Sequence, residues 1–202
     1  VIPPKPINRV RRNGGGNPGG NVLRGVFLLA RGRAAGITEF ANTSEGLSAS
    51  LAPLIAFPLV GATIIAMSGQ PELAAIAFLS RLCGVLTLPV VTHAFAQITK
   101  RESQWLRTAT ALNWSFWILI PLLLVAAFAG AGLVTAGVQE TSAEDIVICL
   151  LGGYMLWFHW FTVRTGMKLS AWLAVALVIV TNLVIGLLTF APDLVDMLLL
   201  KR

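Results

Sequence analysis

TALNWSFWILIPLLLVAAFAGAGLV, residues Thr110–Val134, decides the architecture. It holds no charged side chain, and its apolar residues fall on every side of a helix instead of along one stripe. A helix needs roughly 20 mainly apolar residues to cross a hydrocarbon layer about 30 Å thick. One that is apolar all round belongs in lipid or deep inside protein. Runs of the same kind lie on both sides of it: Ser48–Ser68 and Leu73–Ile98 before, Ile146–Thr162 and Leu169–Phe190 after. None has an acidic residue in its interior. The expected fold is therefore all-α: a multi-pass transmembrane helical bundle of five spans, occupying residues 48–190, with an N-terminal interfacial amphipathic helix before it.

Composition agrees. Of 202 residues, 56% are hydrophobic and 12% charged, with a mean hydropathy of +0.79. Soluble domains carry about a quarter charged residues. The two cysteines, Cys83 and Cys149, lie inside spans and form neither a metal-ligand spacing nor a redox pair. They read as small buried apolar residues.

Working outward to the N-terminus, residues 1–20 hold Pro3, Pro4, Pro6 and the glycines Gly14–Gly16. Such a stretch cannot bury enough apolar area to offset its ordering entropy, so a disordered tail is expected. It has no apolar signal core, so no cleavable secretory signal is expected in it. Residues 21–47 differ. Val22, Leu23, Val26, Phe27, Leu29, Ala30, Ile37 and Phe40 make one apolar side; Arg24, Arg31, Arg33 and Glu39 make a polar one. A helix lying in the membrane interface is expected there, broken near Gly32 or Gly36. At the other end, residues 191–202 form a short tail with an apolar stretch, Leu194–Leu200, placed along the membrane surface.

The net charge is +6, and the charge is sorted. Lys5, Arg9, Arg11, Arg12, Arg24, Arg31 and Arg33 precede the first span. Lys100, Arg101 and Arg107 follow the second span, and Arg164 and Lys168 follow the fourth. Glu72, Glu140, Glu144, Asp145, Asp193 and Asp196 fall on the opposite side, with Lys201 and Arg202. The positive-inside rule then places the N-terminus in the cytoplasm and the C-terminus outside. The basic block meets anionic headgroups better than nucleic acid, because no aromatic residues interleave its densest charges. The partners expected are the lipid bilayer and another membrane protein or a second copy of the chain, with no nucleic acid. No internal repeat is visible, and five spans do not divide into the equal halves of an inverted-repeat transporter.

Arg81 is the least expected residue, because a charge deep in a span is costly, roughly 2.5–3.5 kcal/mol on insertion scales. In one reading the crossing is Leu82–Ile98, Glu72–Ser80 is an interfacial or re-entrant piece, and Arg81 snorkels to headgroups. In the other, Arg81 is intramembrane and pairs with Asn182, which falls at a similar depth in the fifth span.

A second constellation gathers near the cytoplasmic ends of the spans: His93, Asn113, Trp114, Tyr154, Trp157, His159 and Arg164. An aromatic belt at headgroup level accounts for most of it. Two histidines at one depth on different helices also raise axial ligation of haem by His93 and His159, which needs both rings to face one cavity. Interfacial packing is the ordinary alternative. A zinc site would be half filled. No acidic proton relay, zinc-protease pattern, phosphate loop or nucleophile elbow is present in the sequence, so no catalytic residue, no metal and no cofactor is expected. Ser48, Ser50, Ser80, Thr87, Ser115 and Thr181 are expected to bond the backbone one turn earlier. Small residues paired four apart, Ala126 with Gly130 and Ala127 with Ala131, and the neighbouring Gly152 and Gly153, suit close helix approach. Pro58, Pro89 and Pro121 are expected to kink the first three spans.

From Arg33 to Leu188 the layout resembles the Yip-type (Ypt-interacting-protein-like) family of five-span membrane proteins, in particular its bacterial members. The likeness rests on the amphipathic lead-in, on the basic Thr99–Arg107 stretch running into Thr108-Ala109-Thr110-Ala111-Leu112-Asn113-Trp114-Ser115, and on Tyr154-x-x-Trp157-Phe158 leading to Arg164 and Leu169-Ser170. It implies a bacterial inner-membrane protein with no catalytic residues, whose eukaryotic relatives are trafficking adaptors and membrane-shaping scaffolds. The function expected is that of a non-enzymatic partner-binding or membrane-organising scaffold. The alternatives are a small transporter or channel component, with Arg81 and Asn182 along its path, and a haem-bearing electron-transfer subunit.

Overall fold

The computed structural model describes the backbone of residues 21–199 and the side chains of residues 21–190. The tail expected over residues 1–20, and the side chains of the expected tail over residues 191–202, lie outside the described residues. Every regular element described is helical: α1 Val22–Ala30, a 3-10 turn Ala34–Glu39, α2 Ser44–Met67, α3 Pro71–Ile98, α4 Glu102–Ser115, a 3-10 turn Phe116–Ile118, α5 Leu119–Thr135, α6 Glu140–Gly166 and α7 Ala171–Leu199. Five stretches are long and apolar enough to cross a membrane, and the third joins α4 and α5 into Glu102–Thr135. The chain is thus a multi-pass all-helical bundle with an amphipathic helix ahead of its spans.

The helices outrun the apolar runs. α6 begins at Glu140, not Ile146, because acidic residues in a first turn complement the helix dipole and extend the helix into the interface. α4 begins at Glu102 for the same reason, so only the turn Thr99–Arg101 separates it from α3. α7 runs on without a break past Phe190 to Leu199. Gly69 and Gly137, at φ +85° and +91°, make the two turns at the acidic end. At the basic end the equivalent left-handed positions carry Lys100 and Lys168.

The third span is divided by chemistry. Thr108, Ala109, Thr110, Ala111, Leu112, Asn113 and Ser115 of α4 are all buried, enclosed by α1, α2, α3 and α6. No residue of α5 is buried. The small and polar half of the span therefore forms the protein interior, and the greasiest half faces outward, which is the arrangement lipid favours. The break between the halves is the 3-10 turn Phe116–Ile118. Pro121 lacks the N–H that would bond the carbonyl of Trp117, and its ring crowds that turn. Pro53, Pro58 and Pro89 are accommodated inside continuous helices.

Two apolar cores hold the basic end. One joins Leu88 and Ala96 of α3, Leu112 of α4, Val163 of α6 and Ala174, Leu177 and Val178 of α7. The other packs Val26 and Leu29 of α1, with Ile37 and Phe40, onto Ala111 and Phe158. The amphipathic lead-in is therefore docked on the bundle, with half of its apolar side spent on protein and Leu23 and Phe27 left exposed. Gly36 lets the 3-10 turn close onto α1. A Cβ there would stand 2.7 Å from the Gly25 carbonyl oxygen and 2.9 Å from the Leu29 nitrogen. The break falls at Gly32, at φ +71°, and reverses the chain between α1 and the 3-10 turn.

Candidate functional site

The polar and aromatic residues near the basic end do not form one ring. Tyr154, Trp157 and Trp114 gather around the docked hairpin. The Tyr154 hydroxyl donates to the Ala30 carbonyl at 2.8 Å, closing the last turn of α1. The Trp157 ring lies over Gly32 and stacks on Phe161 at 5.6 Å between centroids. Trp114 packs against the core of Val26, Leu29 and Phe158. Asn113 turns the other way: its amide donates to Ser50 Oγ on α2 at 2.9 Å, inside protein. Ser50 in turn donates to the Leu47 carbonyl at 2.6 Å. Arg164, exposed in the last turn of α6, sits 5.0 Å over the Trp160 ring and lies apart from this group.

The two histidines are separated. The His93 ring packs tilted against Trp105 of α4, 4.3 Å between ring centroids, and borders an α2–α3 cavity lined by Leu47, Leu51 and Pro89. His159 faces a different cavity, between α3, α4, α6 and α7. Equal depth did not give a shared direction, because α3 and α6 present these rings at different azimuths. The two rings therefore do not share one cavity. Among the described residues no group of three His, Cys, Asp or Glu side chains could hold a metal ion.

Arg81 and Asn182 are not partners either. Asn182 donates its amide to the Val178 carbonyl of its own helix at 2.8 Å. Arg81 lies across α2: a Cβ on Gly61 would stand 2.5 Å from its Nη1. The re-entrant reading of Glu72–Ser80 is also corrected, because α3 is one unbroken helix from Pro71 to Ile98. At 1.5 Å per residue Arg81 is about 15 Å along it. Gly61 makes room for the guanidinium between the two helices.

No family model, curated protein or solved structure matches this chain. The geometry stands on its own.

Sequence reasoning missed Arg101 and Thr162. The Arg101 guanidinium reaches the carbonyls of Met167 and Lys168, where α6 ends, and ties the α3–α4 turn to the α6–α7 turn. A cation at a helix C-terminus meets the negative end of the dipole. The positive-inside count weighed Arg101 only as a charge. Thr162 is fully buried in α6, and its hydroxyl has no hydrogen-bond partner. Nothing in its sequence context separates it from the threonines that bond their own helix.

Proposed function

We propose that this chain is a non-enzymatic integral membrane protein that organises the bilayer, with the docked N-terminal hairpin as its working face. One observation carries the reading: α1 is apolar on two sides. Val26 and Leu29 are buried against the bundle, while Leu23 and Phe27, one turn apart, are exposed on the outer side. Arg31 lies 4.0 Å over the Phe27 ring, and Arg24 lies 3.8 Å from Glu39. An outward pair of large apolar side chains beside arginines suits the boundary between acyl chains and anionic headgroups. Burying Leu23 and Phe27 there contributes about 1.5–3 kcal/mol each. Each nearby arginine adds about 1 kcal/mol at an anionic surface. The apolar pair therefore dominates, and it occupies area in one leaflet only. The layout resemblance to Yip-type proteins supports the same reading, with the basic end in the cytoplasm of a bacterial inner membrane.

Several groups that raised other chemistry in the sequence are instead engaged in packing: Asn113 on Ser50, Tyr154 on Ala30, His93 on Trp105. Arg81 and Asn182 line adjoining cavities that share Gly84, Phe116 and Ile185, but Asn182 is bonded to its own helix.

Reconstitution into vesicles containing anionic lipid tests the proposal. Electron microscopy is expected to show narrowed or tubular vesicles with the unaltered chain. The Leu23→Asp, Phe27→Asp double variant, equally inserted, is expected to leave them round. Round vesicles with the unaltered chain would overturn the reading, and solute flux would replace it with transport.

A further inference from the structure

A cavity of about 680 Å³ lies between α2, α3, α5 and α7. Its wall includes the exposed Phe57, Ile120 and Leu123, so acyl chains of the bilayer reach it. Among the described residues one charged side chain borders it, Arg81 of α3. Arg81 is an exposed residue, not one sealed in packing, so a ligand can meet it from the cavity. Its Nη1 lies against Gly61 of α2, where any side chain would collide with it. That contact places the guanidinium about 9 Å short of the end of α2 at Met67. The cation therefore sits among apolar side chains, below the level of the turn that joins α2 to α3. A charge at such depth is costly unless an opposite charge meets it.

The cavity is graded in polarity. Ser80, Arg81 and Thr189 stand toward the acidic end of the bundle, while Leu54 and Phe116 line the part nearer the middle. A lipid of the leaflet on the acidic side has the same direction, head outward and chain inward. We propose that this cavity binds a single-chain amphiphile with a carboxylate head, a free fatty acid, whose carboxylate meets the Arg81 guanidinium. Its chain runs toward Leu54 and Phe116. A planar guanidinium pairs with a carboxylate through two parallel hydrogen bonds. The volume is that of a small-molecule site, which suits one chain better than two. A carboxylic acid crosses apolar surroundings uncharged, and a neighbouring cation favours its ionised form. A phospholipid phosphate keeps its charge and stays at headgroup level, above Arg81. The site is independent of the role assigned to the N-terminal hairpin, which docks at the basic end.

Binding of radiolabelled palmitic acid to the full chain tests the proposal. The chain is purified in a maltoside detergent, whose head is uncharged, and scintillation proximity counting reads bound acid. Saturable binding is expected, displaced by unlabelled palmitic acid. Hexadecanol, which has the chain without the charge, and phosphatidylglycerol are each expected to displace it roughly tenfold less well. Arg81→Gln removes the cation and is expected to weaken binding by roughly tenfold or more. Gly84→Leu keeps Arg81 but fills the cavity, from a position where a Cβ meets nothing within 4 Å, and is expected to abolish saturation. Arg164→Gln, an exposed arginine at the basic end, is expected to change nothing. Size-exclusion profiles matching the unaltered chain show that the variants are folded. Non-saturable binding overturns the proposal, as does saturation that survives unchanged in Arg81→Gln and Gly84→Leu. Equal displacement by hexadecanol reduces the cavity to an apolar groove, and stronger displacement by phosphatidylglycerol gives it to a phospholipid; either result overturns the assignment.

Discussion

Asn113 shows what a single polar residue does inside this bundle. Its Nδ2 donates to Ser50 Oγ, while its Oδ1 has no partner. Ser50 keeps its own bond to Leu47 whether or not Asn113 is present. The two ends of the contact are therefore unequal. Ser50→Ala strands a whole buried amide, which costs about 1–3 kcal/mol, whereas removing both partners together is nearly neutral apart from packing. Interhelical hydrogen bonds in membranes average about 0.6 kcal/mol and reach about 1.7. Unfolding in mixed micelles is expected to show Ser50→Ala as the more damaging single change, and Ser50→Ala with Asn113→Leu as partly restored. A double variant as weak as the sum of its parts would contradict this account. Both residues could be noticed in the sequence, but their contact could not. Position along a span gives depth, while azimuth is set by helix packing. The same limit explains why His93 and His159, matched in depth, face separate cavities, and why Arg81 reaches Gly61 and not Asn182.

At the level of elements, the spans were legible because lipid imposes one demand, a long apolar run, that composition displays directly. Their ends were not, since Glu140, Glu144 and Asp145 look like loop residues yet sit in the first turns of α6. The docked hairpin was half legible. Its amphipathic pattern and the break at Gly32 are visible in the residues, but the pattern does not say whether Val26 and Leu29 meet lipid or protein. Ala111 and Phe158 of the bundle settle that question, and Gly36 lets the 3-10 turn close on α1 through the backbone. An added Cβ would strike the Gly25 carbonyl oxygen and the Leu29 nitrogen, and neither can rotate away. At Gly25 the nearest atoms are side-chain carbons, Phe40 Cε2 at 2.8 Å and Glu39 Cβ at 3.0 Å, and not backbone. Gly36→Ala is therefore expected to loosen the hairpin by about 1–3 kcal/mol or more, and Gly25→Ala by less. Faster tryptic cleavage after Arg31 and Arg33 in Gly36→Ala is the measurement. Equal protection in both variants would mean that this close approach does not hold α1 in place.

For the whole molecule, the distribution of polarity along the membrane normal is the organising fact. The basic end is the protein-rich one: α4 is enclosed there, the hairpin docks there, and Arg101 binds two turns together there. Toward the acidic end α5 leans on α6 through one side only, with Gly130 close to Val147, and turns Leu123, Leu124, Val125 and Phe128 outward. Such a taper leaves little protein to carry charge through the far half, so the basic end should stay on the side of synthesis, as the positive-inside rule requires. Each crossing puts successive turns on alternate sides, and five of them put the two ends of the chain on opposite sides. With Cys83 and Cys149 replaced by alanine, single cysteines at Glu102 and Gln139 probe the two ends, since each lies beside a turn, Glu102 at the first residue of α4 and Gln139 just before α6. An impermeant maleimide added to intact cells is expected to label Gln139→Cys at once and Glu102→Cys only after the membrane is opened. Labelling in the reverse order would invert the bundle and place the hairpin in the outer leaflet. Labelling of both from one side would break the five-span topology itself.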